Sequence, residues 1–185
     1  MASTIELLLL AALNQRPQLI WKSVLTGSQP SVTTPTIPQQ FTNLRLVIAA
    51  KSDGTGSSGY DTANMQFNGV TSGSYNWQTW YTTIGAGSVS TANGTSSTSM
   101  QCATVWNSHF ASAGRGITTI DIPNYSDASS CKGFTGISSA SDGGTAGVMQ
   151  TYSGSIGSTA AIASIALTMG VGNFVADSTF CLYGE

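Results

Sequence analysis

The chain has 185 residues and a formal net charge of −2, carried by six Lys and Arg and eight Asp and Glu, with one His. Charged residues make up 8% of it, against roughly 25% in a typical soluble protein. Ser, Thr, Gly, Ala and Asn fill the gap. The six cations, Arg16, Lys22, Arg45, Lys51, Arg115 and Lys132, are scattered, which argues against nucleic-acid binding, since phosphates need clustered positive charge. A surface this poor in ions suits a protein held in a large assembly or a hard-wearing extracellular surface.

At the start, Ser3-Thr4-Ile5-Glu6 fits a capping box, a hydroxyl at the N-cap followed three residues on by a carboxylate. Leu7 to Leu13 supply strong helix formers, and Asn14 and Pro17 end the run. A short helix over residues 4–14 is expected. It is apolar nearly all round and must be buried. It is too short to cross a membrane, which takes about 20 apolar residues. A signal peptide carries positive charge ahead of its apolar run, and Glu6 stands there instead. The expectation is therefore an anchor with no membrane insertion. The helix could tuck under its own sandwich, meet the same helix of sibling subunits or dock on another protein; the intermolecular contact is favoured, with Leu7, Leu8, Leu9, Leu10, Leu13 and Trp21 as candidate partner-binding residues.

Residues 19–25 (LIWKSVL) read as a strand. Residues 27–40 hold Pro30, Pro35 and Pro38; proline donates nothing to a ladder, so this is an extended edge or a linker arm. The expected division is an N-terminal helix and arm over 1–36 and a β-sandwich over 37–185.

From Phe41 onward the pattern is β. Leu44, Leu46 and Ile48 alternate with Arg45 and Val47, residues 51–59 (KSDGTGSSG) form a turn-rich loop, and Met65 and Phe67 alternate before the Asn68-Gly69 turn. Tyr75, Trp77, Thr79 and Tyr81 share one face, with Trp80 out of phase. Residues 85–99 (GAGSVSTANGTSSTS) read as a long low-complexity loop. Further strands are expected at 100–106, 117–122, 132–137, 148–152, 162–169 and 174–183. Short strands between Gly, Ser and Asn turns imply an all-β, antiparallel, jelly-roll-like sandwich.

Little in the chain points to chemistry. The lone His109 would have to serve any Ser-His-Asp triad, and no GxSxG elbow accompanies it. Paired carboxylates could serve a glycosidase, with Asp53 and Asp61 or Asp121 and Asp127 as the pairs, but loop aspartates usually build turns. The Asp53 and Asp142 loops lack the remaining ligands of a calcium loop. The glycine-rich stretches fit no phosphate-binding pattern. Cys102, Cys131 and Cys181 form no CxxC or CxxH pair, which speaks against zinc; a cytosolic assembly would leave all three reduced. Neither cofactor nor metal is expected. The aromatic cluster could stack on sugars or fill a core, and Trp80 and Tyr81 are the candidate glycan contacts.

One resemblance covers residues 37–185 with gaps. It rests on Ile120-Asp121-Ile122-Pro123-Asn124-Tyr125, on residues 159–165 (TAAIASI), and on Gly172-Asn173-Phe174-Val175 through Leu182-Tyr183-Gly184. These blocks resemble a β-sandwich domain of tailed-bacteriophage virion proteins. The resemblance implies a surface module, often trimeric, that serves as capsid decoration, head fibre or tail fibre, and it carries no catalytic motif. The expected function is a non-enzymatic capsid decoration protein, assembled in the host cytoplasm and bound to other virion proteins. The alternative is a tail-fibre or receptor-binding module for host surface glycan.

Overall fold

Between Asn43 and Ala50, and again between Tyr60 and Phe67, every second side chain is buried. That period of two is what a strand with one face on a core requires. It recurs through a computed structural model that describes residues 16–85, 87–109, 114–141 and 147–185. The helix expected over 4–14, with Leu7, Leu8, Leu9, Leu10 and Leu13, lies outside the described residues.

Twelve strands follow in order: β1 (Gln18–Val24), β2 (Ser31–Thr33), β3 (Asn43–Ala50), β4 (Tyr60–Phe67), β5 (Tyr75–Thr83), β6 (Ser90–Ser97), β7 (Met100–Trp106), β8 (Gly116–Pro123), β9 (Lys132–Ser141), β10 (Gly147–Ile156), β11 (Ile165–Met169) and β12 (Thr179–Gly184). They form an eight-stranded sheet, β1-β12-β3-β8-β9-β10-β5-β6, and a four-stranded sheet, β2-β11-β4-β7. Every ladder is antiparallel. The fold is all-β with two antiparallel sheets, and no helix occurs among the described residues.

The two sheets share one core. Leu44, Leu46 and Ile48 from β3 and Ile120 and Ile122 from β8 are buried with Met65 and Phe67 from β4 and Val105 from β7. Each such side chain contributes about 1.5–3 kcal/mol on leaving water. β7 is the end strand of the smaller sheet, and its outer edge meets the larger sheet through side chains. Thr104 N donates to Ser138 Oγ at 3.0 Å. Thr104 Oγ1 donates to Gln150 Oε1 at 2.8 Å and lies 2.7 Å from the Tyr152 hydroxyl. Gln150 Nε2 donates to Thr79 Oγ1 at 2.7 Å, and Thr118 Oγ1 is 2.7 Å from Ser138 Oγ. All these groups are buried, so the seam meets the demand that polar atoms in a core find partners.

One expectation is corrected, and two segments gain their places. Residues 85–99 are not one loop: Ser90–Ser97 is strand β6, paired with β5. It is an edge strand with mostly exposed small polar side chains, so backbone pairing forms it without any hydrophobic alternation. The Pro-rich arm takes the edge form: β2 pairs with β11, and Leu25, Val32 and Ile37 enter the core beside the rest. Pro30, Pro35 and Pro38 fall outside the three-residue strand, where no ladder donor is lost. The two strands of residues 162–185 belong to different sheets. Their connection crosses between them, pinned by the fully buried Phe174, whose ring meets Phe180 edge-on at 5.1 Å.

Gly116 lets β8 approach β7: a Cβ there would stand 2.3 Å from the Thr104 carbonyl oxygen. Gly116→Val is expected to destabilise the fold by about 1–3 kcal/mol, the usual cost of overpacking. Urea unfolding of the variant checks this, and an unchanged midpoint would show that β7 does not press on β8.

Candidate functional site

Because strand residues alternate between faces, committing one face of the eight-stranded sheet to the core leaves the other facing solvent. On that outer face Trp80 is 44% exposed, Ile117 56%, Ile137 62% and Met149 57%. Register brings them together. Thr151 stands opposite both Trp80 and Ile137, and Ser139 stands opposite both Met149 and Ile117. The four apolar side chains are therefore diagonal neighbours on adjacent strands, within contact range for long side chains. They form an apolar patch set among Thr and Ser.

Toward the other end of the same face lies a shallow trough of about 680 Å³. It runs from Pro123 at the end of β8 to Gly94 and Asn93 on β6, crossing β9, β10 and β5. At about 4.8 Å per strand, four steps give a span of roughly 19 Å. Its floor is low because Gly133 has no side chain and Ser153 and Ser155 have short ones. Amides stand along it at Asn76, Gln78 and Asn93. No titratable side chain is among its lining residues. A second depression, about 340 Å³, shares Thr135 and Ser153 with it and leads to Trp80 and Ile137.

The charges nearest this face are paired with one another, one guanidinium against two carboxylates. Arg45 Nε donates to Asp121 Oδ1 at 2.7 Å, and Arg45 Nη1 lies 3.1 Å from Glu185 Oε1. The hydrogen bond to Asp121 raises the guanidinium's affinity for its proton above the ordinary value. All three side chains are at least partly exposed, so solvent screens the pairs and they contribute little to stability.

The remaining sequence candidates fall as follows. Tyr81 is half-buried and faces the opposite way from Trp80, against the small cluster of Trp106, Ala140 and Val148. Trp21 sits on the edge strand β1 and packs partly on the main core. The backbone N–H of His109 donates to Asn107 Oδ1 at 3.1 Å. The proposed carboxylate pairs are engaged elsewhere. Asp121 holds Arg45, while Asp127 accepts hydrogen bonds from Ser129 and Ser130, which hold its carboxyl well below the usual range. Asp61 is buried and accepts from Ser52 Oγ and from Asn107 Nδ2. Asp53 turns to Asn173, accepting from its N at 2.7 Å and its Nδ2 at 2.9 Å. Among the described residues no group of three His, Cys, Asp or Glu could hold a metal ion. The three cysteines are free thiols, and burial pushes the Cys102 thiol up, away from the reactive thiolate. No helix among the described residues is long and apolar enough to cross a membrane.

Sequence reasoning missed the trough. Asn76, Gln78, Asn93, Thr135 and Ser153 come from four strands, and no local spacing links them. Comparison with known proteins adds no assignment: no family model matches the chain, and no curated protein matches it.

The Asp53–Asn173 contact ties the 53–59 loop to the β11–β12 connection. Its hydrogen bonds to Asn173 lower the Asp53 carboxyl from the ordinary 3.8. A depressed folded value means that this contribution is complete above 3.8 and fades as pH falls through the lower folded value. Limited proteolysis within residues 53–59 is expected to accelerate at such acid pH, and Asp53→Ala should show the same acceleration at neutral pH. An Asp53→Ala loop as resistant as wild type would show that the contact does not hold it.

Proposed function

We propose that the chain is a non-enzymatic surface protein of a tailed-phage virion, a capsid decoration of the cement or head-fibre type. Its sheets form a β-sandwich of the jelly-roll-like kind, and the protein works as a homotrimer bound to other virion proteins. The observation that carries this reading is the outer face of the eight-stranded sheet. Trp80, Ile117, Ile137 and Met149 present an apolar patch with no ion among them, and monomeric proteins seldom leave such patches uncovered. The sequence blocks at 120–125, 159–165 and 172–184 support the virion assignment. In this reading residues 1–36 carry the anchor, with Leu7, Leu8, Leu9, Leu10, Leu13 and Trp21 as its contacts.

A second reading, a tail-fibre or receptor-binding module for host surface glycan, is favoured by the exposed Trp80 beside an uncharged, amide-lined trough.

The oligomeric reading is tested by sedimentation velocity on the full chain. Wild type is expected to run as a trimer. Ile137→Asp and Met149→Asp, both at exposed positions, should leave the fold intact and weaken association by about tenfold or more, the equivalent of 1.4 kcal/mol. A monomeric wild type, or variants that associate as wild type does, would overturn it. Antibody labelling of purified virions addresses location: label over the head supports decoration, and label on the tail favours the second reading.

A further inference from the structure

We infer that the trough across β8, β9, β10, β5 and β6 binds a neutral oligosaccharide lying across the strands; this deepens the glycan reading and rests on it. The chemistry of the lining selects the ligand. Asn76, Gln78 and Asn93 each carry an amide that both donates and accepts, and Thr135 and Ser153 add hydroxyls that do the same. Sugar hydroxyls also donate and accept, so such groups match them without a net charge on either side. No cation lines the trough to receive a phosphate, sulfate or carboxylate, and no carboxylate lines it to receive an ammonium or metal ion. Asp121, at the margin, is already paired with Arg45.

The shape argues the same way. A span of roughly 19 Å at strand spacing and a volume of about 680 Å³ suit an extended ligand better than a compact one. The second depression continues from Thr135 and Ser153 to Trp80. There an exposed indole offers a flat apolar surface for the C–H face of a sugar ring. Beneath this end of the trough the Trp77 indole lies so close to Gly94 that a Cβ there would sit 2.4 Å from Nε1. Gly94 thus makes room for the Trp77 ring on the core side of the sheet, where it packs partly against the main core. A long peptide could also lie in such a groove, but β6 has mostly small polar side chains and the trough has no deep apolar pocket to hold an anchor residue.

Gly133 makes the test clean. It faces outward on the floor, and a Cβ there would meet only the Gly154 carbonyl oxygen, at the ordinary contact distance of 3.4 Å. Gly133→Leu should therefore fill the trough without disturbing the core. The full chain would be applied to an array of neutral, sulfated and sialylated oligosaccharides, and the best neutral hit titrated by calorimetry. Expected are binding to neutral glycans, loss of that binding in Gly133→Leu with an unchanged thermal midpoint, and about tenfold weaker binding for Gln78→Ala and Asn93→Ala. A preference for sulfated or sialylated glycans would overturn the inference. So would neutral binding that survives Gly133→Leu; if Trp80→Ala abolished that binding, the glycan reading would stand with its site elsewhere. An array blank for every glycan would sink both the inference and the glycan reading. Should Gly133→Leu fold poorly, Gln78→Ala with Asn93→Ala decides, since both residues are exposed and retained affinity in that double variant would also overturn the inference.

Discussion

The structure depends on how the outer edge of β7 is satisfied. A strand at the end of a sheet leaves backbone donors and acceptors unpaired, and β7 lies under the larger sheet, where water is absent. Ser138 answers Thr104 N, while Gln150, Tyr152 and Thr79 form a chain of hydrogen bonds around the Thr104 hydroxyl. These partners come from β9, β10 and β5, so one seam sets the position of the small sheet against three strands of the large one. Gly116 lets the backbones come this close. Leucine and isoleucine supply most of the driving force through burial, yet they are indifferent to small shifts in alignment. The hydrogen-bonded seam is directional, and a shift of one residue would turn its groups to the wrong face.

That arrangement also determines what the molecule offers to the outside. With one face of the eight-stranded sheet given to the core and the seam, the other presents the exposed Trp80, Ile117, Ile137 and Met149. Its polar side chains are mainly hydroxyls and amides, because the chain has few ions to place there. Two regions result on one surface: an apolar patch around Ile137 and Met149, and an uncharged trough between Pro123 and Asn93. An apolar patch favours contact with another protein, whereas a trough of neutral hydrogen-bonding groups favours a hydroxylated ligand. Trp80 stands between them and could serve either. A decoration protein that oligomerises through the first region would still present the second, so the two proposals are compatible on one face.

Legibility differed sharply between elements. β7 was readable to the residue because Met100–Trp106 is apolar or β-favouring at every position but Gln101 and is ended by the polar Asn107 and Ser108. β3 was legible from Leu44, Leu46 and Ile48, but of β4 only the end around Met65 and Phe67 showed, because the buried Asp61 breaks the apolar pattern before it. β6 was invisible, since an edge strand with no buried face has no reason to carry a pattern, and its pairing with β5 is a backbone matter. The Pro-rich arm showed its extended character but not its place, because proline excludes a ladder donor without naming the neighbour. Trp80 was marked by its phase on β5, and the structure puts it on the open face. Its neighbour Tyr81 is drawn instead to Trp106, a contact between strands far apart in the chain.

By itself the sequence determined the all-β class, most strand positions and the scarcity of charge. These follow from period-two burial, turn residues and composition, which are local properties of the chain. Only the tertiary structure decided the division of strands between the two sheets, the seam along β7, and the gathering of Asn76, Gln78, Asn93, Thr135 and Ser153 around one trough. The physical reason is that strand order and register depend on hydrogen bonds between segments distant in sequence, and no spacing within a single segment encodes which strand will lie beside it.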